Sequence, residues 1–420
     1  MNNKIVVKHL ILTVLIFSGM VVLMAGCSGN NTKETLEAKA ARIHKAVLTV
    51  DTHTDTPLRI MREDFDLSQR HDPVRDHSKL DFPRMVEGGL DAVFFAAFIG
   101  QGPRDDAGHE NAKTRVLEII DSIHQNVKRY SDLATLALDS ESPYAIEKTN
   151  KRAIFIGIEN GYPVGHDLSL IQKYYNLGVR YITLCHTKNN DICDSSTDPN
   201  GPEYHGLSEL GEQVVAEMNR LGMIVDVSHI SDEAFYDVLE TSAVPVMASH
   251  SCSRAICDNP RNLDDDMLRA LAKNNGVIQM CILSDYVKTP APNAERDSAF
   301  AALRNQFDNY DNASSEAKKK MREQWREIDE KYPKDLATVS DVVDHIDHMV
   351  KIAGIDHVGI GTDFDGGGGV DGCFDVSQMG NITLELVKRG YTEEQIRKIW
   401  GGNFIRVFKA VEAYAANTKI

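Results

Sequence analysis

The segment Ala153-Ile154-Phe155-Ile156-Gly157-Ile158-Glu159-Asn160-Gly161 decides how this chain folds. Its first six residues are apolar without alternation, and the run stops on a carboxylate. A strand with one face in water alternates apolar and polar side chains. A strand that does not alternate must be covered on both faces, as in a parallel sheet flanked by helices. Seven more largely apolar runs share this character: Ala46–Val50, Asp91–Ala96, Val179–Leu184, Met223–Val227, Val244–Ala248, Gly276–Ile282 and His357–Gly361. Helical patterns lie between them, for instance Ala112–Tyr130, Ser208–Leu221 and Asp264–Lys273. Eight strand–helix units in roughly 370 residues predict an α/β fold, a (β/α)8 TIM barrel, with a doubly wound open sheet as the alternative.

Outward from the strands, the largest insertion falls between the seventh and eighth, at about residues 284–350. Its segment Ser298–Lys331 is rich in Ala, Lys, Glu and Arg and reads as an exposed helical hairpin. Ser340 is the expected N-cap of a helix Asp341–Ile352 closed by Gly354, and Glu393–Ala415 reads as terminal helix broken at Gly401-Gly402. No repeat or low-complexity linker divides the rest, so residues 41–420 are expected to form one domain.

The chain has 420 residues and, with 46 Lys+Arg against 62 Asp+Glu, a formal charge of −16. Such a surface repels phosphate backbones, and no basic run reverses it locally, which argues against nucleic-acid binding. Lys4 and Lys8 precede the 14-residue, mostly apolar stretch Leu10–Leu23. That is short of the ~20 residues a spanning helix needs. With Leu23-Met24-Ala25-Gly26-Cys27 it resembles a bacterial lipoprotein signal. On this reading residues 1–26 are removed and Cys27 is lipidated. Residues 27–40 then tether an exported domain to a membrane of the cell envelope. An ordinary cleaved signal or an uncleaved anchor is the alternative. The other six cysteines form no CxxC pair, which leaves buried thiols or one or two disulfides.

Barrel enzymes carry their chemistry at the C-terminal ends of the strands. Here those ends hold His53 and Asp55, Glu159, His186, His229, His250 and Asp363. A lone histidine in such a place is ordinarily a hydrogen-bonded core residue. So many imidazoles and carboxylates on one mouth are instead what a borderline divalent metal such as Zn²⁺ selects. Asp51 reads as a cap or orienting group, leaving His53 and Asp55 as the ligand pair on one strand face. His345 and His348 lie at i, i+3 on the helix before the last strand and read as packing residues. The run Gly366–Gly369 lacks the Lys-Ser/Thr of a phosphate loop, and no Gly-x-Ser-x-Gly elbow supports a serine nucleophile.

Four segments, in order, resemble the renal (membrane) dipeptidase family: Asp51-Thr52-His53-Thr54-Asp55-Thr56-Pro57, Asp226-Val227-Ser228-His229, Ser249-His250-Ser251 and Gly359-Ile360-Gly361-Thr362-Asp363-Phe364-Asp365-Gly366. Pro260-Arg261-Asn262-Leu263 adds a fifth, and the similarity runs from about residue 45 to 412. The resemblance implies a TIM barrel that hydrolyses dipeptides through a water shared by two zinc ions per chain. It implies His53 and Asp55 on one zinc, His229 and His250 on the other, and Glu159 bridging both. His186 would hold the developing oxyanion, Asp363 would pass the proton from water to the leaving amine, and Arg261 would clamp the free carboxylate. Tolerance of a C-terminal D-residue and a homodimer are implied as well. Other amides ending in a carboxylate, such as N-acyl-amino acids, fit the same residues. An inactive binding lipoprotein would have lost a ligand or Asp363, and none is lost. The chain departs from the family at Asn160, where Gly is usual, and in Asn189–Asp198, which lacks an aromatic. It departs again at Ile282-Leu283-Ser284-Asp285-Tyr286, where Tyr286 aligns with a pocket tyrosine among changed neighbours.

Overall fold

The computed structural model describes residues 34–62, 65–306 and 314–418. The expected signal segment and Cys27 lie outside the described residues. Nine parallel strands make one sheet: β1 Val50–Thr54, β2 Ala92–Phe98, β3 Ala134–Leu136, β4 Arg152–Glu159, β5 Val179–Thr183, β6 Ile224–Asp226, β7 Met247–Ser251, β8 Val277–Met280 and β9 Val358–Ile360. Eight of them follow one another around a barrel in the order β1-β2-β4-β5-β6-β7-β8-β9, while β3 is an extra strand that pairs with β4. The ends of the path meet just beyond the strands. Asp363 N donates to His53 O at 3.0 Å, Asp55 N donates to Phe364 O at 2.8 Å, and Thr362 N and Oγ1 donate to the Asp51 carboxylate at 2.8 and 2.6 Å. Asp51 therefore orients, as its position suggested.

Both faces of the strands are covered, which explains their unbroken apolar character. Val93, Phe95, Ile154 and Ile156 pack outward against the helices, while Phe94, Phe155 and Tyr181 point inward. The helix Asn403–Thr418 closes the N-terminal end of the barrel. Phe404 meets the Phe94 ring edge-on at 5.5 Å between centroids, and Phe408 lies 6.0 Å from Phe155. Gly157 is required by close approach: a Cβ there would sit 2.2 Å from the Tyr181 ring. That ring carries its hydroxyl up toward the mouth.

Several expected boundaries move. The first strand starts at Val50 and not at Ala46, because Ala46 ends the helix Leu36–Ala46, which buries Ala40 and Ile43, and residues 47–49 connect it to the strand. The same helix places Leu36 onward in the folded body, so residues 36–40 are not tether. The helix expected from Ala112 begins at Asp106, where Asp105 accepts from Gly108 N. Thr338, not Ser340, caps the helix Val339–Ala353, in a reciprocal box with Asp341. Gly401-Gly402 does not break the terminal helix; it lies in a π-turn, Lys398–Gly402, continuous with it. The insertion forms two helices, Ala294–Gln306 and Ser315–Lys331, held by Phe300 against Trp325. All six described cysteines are buried free thiols.

Candidate metal centre

The strand ends bring seven side chains to one point. Glu159, the last residue of β4, is buried at the centre. Its Oε2 lies 3.5 Å from His53 Nε2; its Oε1 lies 3.1 Å from His229 Nε2 and 3.5 Å from His250 Nε2. The two oxygens of one carboxylate thus face different imidazole sets. Asp55 stands beside His53, with Oδ2 3.8 Å from Nε2, and His186 Nε2 is 3.7 Å from Glu159 Oε1. Three donor groups could each hold an ion: His53 with Glu159 and His250, Glu159 with His186 and His229, and His53 with Asp55 and Asp363.

The local chemistry fits divalent metal. His53 Nε2 and Asp55 Oδ1 are buried polar atoms without hydrogen-bond partners, an arrangement that costs several kcal/mol unless a cation meets them, and the Nε2 atoms of His229 and His250 face each other at 2.9 Å. Burial, reinforced by neighbouring imidazoles and Arg261, holds His229 and His250 well below the usual histidine range, so both offer neutral nitrogens. Burial also drives His53 toward neutrality, but Glu159 and Asp55 outweigh it and keep its proton. Asp55 is pushed up to about 6 by burial and by the charge of Glu159.

A shell of hydrogen bonds aims the imidazoles. Asp226 takes the Ser249 hydroxyl at 2.6 Å, which leaves Ser249 Oγ to accept from His250 Nδ1–H at 2.8 Å. Nε2 of His250 is thereby left as the lone-pair nitrogen, as a ligand needs. Tyr181 Oη lies 2.9 Å from His53 Nδ1 and fixes the angle of that ring. Tyr181 carries no signal as a site residue in the sequence, and Asp226 and Ser249 stand there only within motifs. A hydrogen-bonding run after a strand end is the signal that could have found Asp226.

Asp363 sits in a tight turn. Its φ is +60° and that of Asp365 is +68°, both in the left-handed region. The N–H groups of Gly366, Gly367 and Gly368 converge on Asp363 O, and the Asp365 carboxylate accepts from Thr56 Oγ1 at 2.8 Å and Lys79 N at 2.8 Å. The glycine run is thus the frame of an acid. Burial raises the Asp363 carboxyl well above the ordinary range, which suits a group that carries a proton.

Arg261 lies at the edge of the mouth, buried, with Nη2 donating to His250 O at 3.2 Å and Nε unpartnered. It has no ion pair with any described carboxylate, and its guanidinium stands 5.4 Å from the Tyr286 ring centroid. Asn262 Nδ2 donates to Tyr286 O at 2.9 Å and ties the two loops together. Every sequence-predicted site residue except Cys27, which is not described, therefore falls in or beside one cluster. Asn160, at φ +80°, bridges the strand ends through Ile99 O and Asn190, a role its glycine alternative could not fill. His345 and His348 lie elsewhere, hydrogen-bonded to Ser253 N and Val287 O and to Asp265.

The sequence model of the membrane dipeptidase family (peptidase family M19) matches residues 37–420. Dipeptidase tcpJ of Claviceps purpurea is 33% identical over 362 residues, 85% of this chain and 75% of that protein. Human dipeptidase 3 is 31% identical over 383 residues, 90% of this chain and 68% of its own length. The crystal structure of the probable dipeptidase PvdM from Pseudomonas aeruginosa superposes with a TM-score of 0.78 at 30% identity, covering 90% of this chain and 99% of that one. A metallopeptidase from Rhodobacter sphaeroides, solved with a phosphinate mimic of the dipeptide L-Ala-D-Ala, shares the fold (TM-score 0.70, 21% identity, 87% and 99% coverage). The chain belongs to the membrane dipeptidase family and is a metal-dependent dipeptidase.

Proposed function

We propose that the chain cleaves dipeptides with a free C-terminal carboxylate, using two zinc ions held on either side of Glu159. The observation that carries this reading is the division of Glu159, one oxygen toward His53 and the other toward His229 and His250. His53 and Asp55 would hold one ion and His229 and His250 the other, with Glu159 shared between them. Divalent metal bound there supplies Lewis-acid activation of water and of the amide carbonyl. The chain's own groups do the rest. His186 Nε2 points into the mouth, where it can donate to the carbonyl oxygen as charge develops on it. Asp363 takes a proton from the attacking water and returns it to the amine nitrogen, whose departure needs that proton. Arg261 offers unpaired N–H groups to a carboxylate. A carboxylate held by this residue limits the substrate to one residue beyond the cut bond.

Acceptance of a C-terminal D-residue belongs to the same proposal. It is supported by the dipeptide mimic bound to the Rhodobacter sphaeroides protein of this fold. Lipidation at Cys27, export to the bacterial cell envelope and membrane attachment are supported by the basic, apolar and small-residue order of residues 4–27. A homodimer is proposed from the family resemblance alone. The test compares L-Ala-D-Ala, its C-terminal amide and its N-acetyl form. Cleavage of the free dipeptide much faster than that of either derivative is expected. Preference for the N-acetyl form would move the assignment to an N-acyl-amino-acid amidohydrolase. Labelled palmitate entering the wild type but not Cys27→Ser tests the anchor.

A further inference from the structure

Apart from the central cluster, one other set of donors among the described residues converges: His109, His166 and Asp191. They come from three separate connections, after β2, β4 and β5, on the same end of the barrel as the mouth. One donor atom from each lies within 4.8 Å of the other two. His109, in the first turns of the helix Asp106–Arg129, has Nε2 2.8 Å from Asp191 Oδ2. The His166 ring stands at 86° to that of His109, with centroids 5.4 Å apart. Gly165, at φ +51°, turns the chain so that His166 arrives there; a Cβ on it would meet the His109 ring at 3.1 Å. The His166 ring makes no hydrogen bond to any described residue.

A histidine–aspartate pair alone is an ordinary surface contact. The third donor distinguishes this cluster, together with the way Asp191 is held. Arg104 Nε binds Asp191 Oδ1 at 2.8 Å and leaves Oδ2 facing the imidazoles. The charge of Arg104 is met by Glu203, which its Nη2 reaches at 3.1 Å, so it orients the carboxylate without leaving a free cation beside it. Ser208 Oγ fixes the Asp191 carbonyl at 2.6 Å. A carboxylate with one oxygen held and the other aimed is the usual outer-shell arrangement of a ligand.

We propose that His109, His166 and Asp191 form a peripheral site for a first-row divalent cation of the imidazole-preferring kind, with zinc the expected occupant. Two imidazoles and one carboxylate leave a fourth position for water, the coordination that zinc takes when one position stays open. An ion there staples together the connections that carry Glu159 and His186, and braces the rim without entering the reaction.

The test uses the full chain, dialysed against micromolar Zn²⁺ and then analysed for metal per chain. His166→Ala and His109→Ala are expected to hold one equivalent fewer than wild type. Because the comparison is between variants, it reads the same whatever number of ions the central cluster holds. A second measurement on the wild type alone follows carbethoxylation of His166 by mass spectrometry. Zn²⁺ is expected to slow it at least tenfold. Equal metal content in wild type and His166→Ala, or labelling of His166 indifferent to Zn²⁺, would overturn the proposal.

Discussion

Glu159 shows how much rests on one side chain. Burial opposes its ionisation, yet the imidazoles of His53, His186 and His229 outweigh burial and hold the carboxyl well below its usual range. Asp363, beside His53 and Asp55 in the same mouth, is pushed the opposite way by burial. One acid is thus kept as a ligand and the other as a proton carrier, a division set by environment. Asp363→Asn is expected to lower kcat by about 10²–10⁴ with the metal content unchanged, because only proton transfer is removed. Arg261→Gln should cost about 1.5–3 kcal/mol of carboxylate recognition, roughly 10- to 100-fold in kcat/KM. On a C-terminally amidated dipeptide the variant and wild type should run alike; a loss of the same size there would contradict the clamp. Residues of this kind were legible in the sequence because metal and proton chemistry needs particular side chains at strand ends. Tyr181 and Ser249 were not, since a tyrosine or serine aiming a ligand is indistinguishable in sequence from one that merely packs.

Among the elements, the apolar runs marked eight strands because a doubly covered strand has no polar face to hide. Their edges were less legible. Ala46 ends the helix Leu36–Ala46, and Val47 and Leu48 are buried without being strand, so the apolar run reached beyond β1. β3, three residues long and off the barrel path, carries too little pattern to be seen. The helix Val339–Ala353 was read two residues late because Ser340 and Thr338 are both good caps; Thr338 has the extended backbone of a cap, and Ser340 lies inside the helix. Thr338→Ala should lower stability by about 1 kcal/mol, measured by urea unfolding. From the same helix, buried His345 accepts from Ser253 N at 3.0 Å and donates to Val287 O at 2.8 Å. A second proton would oppose the Ser253 N–H, and burial lowers its pKa from 6.5. The unfolded chain therefore binds this proton more readily than the native one. Its contribution is whole above pH 6.5 and is lost as pH falls below it. The midpoint of thermal unfolding should fall between neutral pH and about pH 5, with a shallower slope in His345→Gln. An unchanged slope in the variant would remove His345 from that account.

At the scale of the molecule, the barrel keeps stability and chemistry at opposite ends. The N-terminal end is sealed by aromatic side chains from the terminal helix, and the C-terminal end holds polar groups that packing alone would not tolerate. Phe404→Ala should cost about 3–5 kcal/mol in unfolding free energy while leaving kcat nearly unchanged below the new melting point. The two ends meet through Tyr181, whose ring packs on Phe94 at 4.9 Å and whose hydroxyl holds His53. The central claim, that Glu159 joins two ion sites into one dipeptidase centre, is tested most directly by adding Zn²⁺ to chelator-stripped protein while following cleavage of L-Ala-D-Ala. Turnover absent in the stripped protein, saturating with two equivalents bound at the centre, and lost together with both in Glu159→Ala is the predicted result. Full turnover without metal, or unimpaired cleavage by Glu159→Ala, would contradict it.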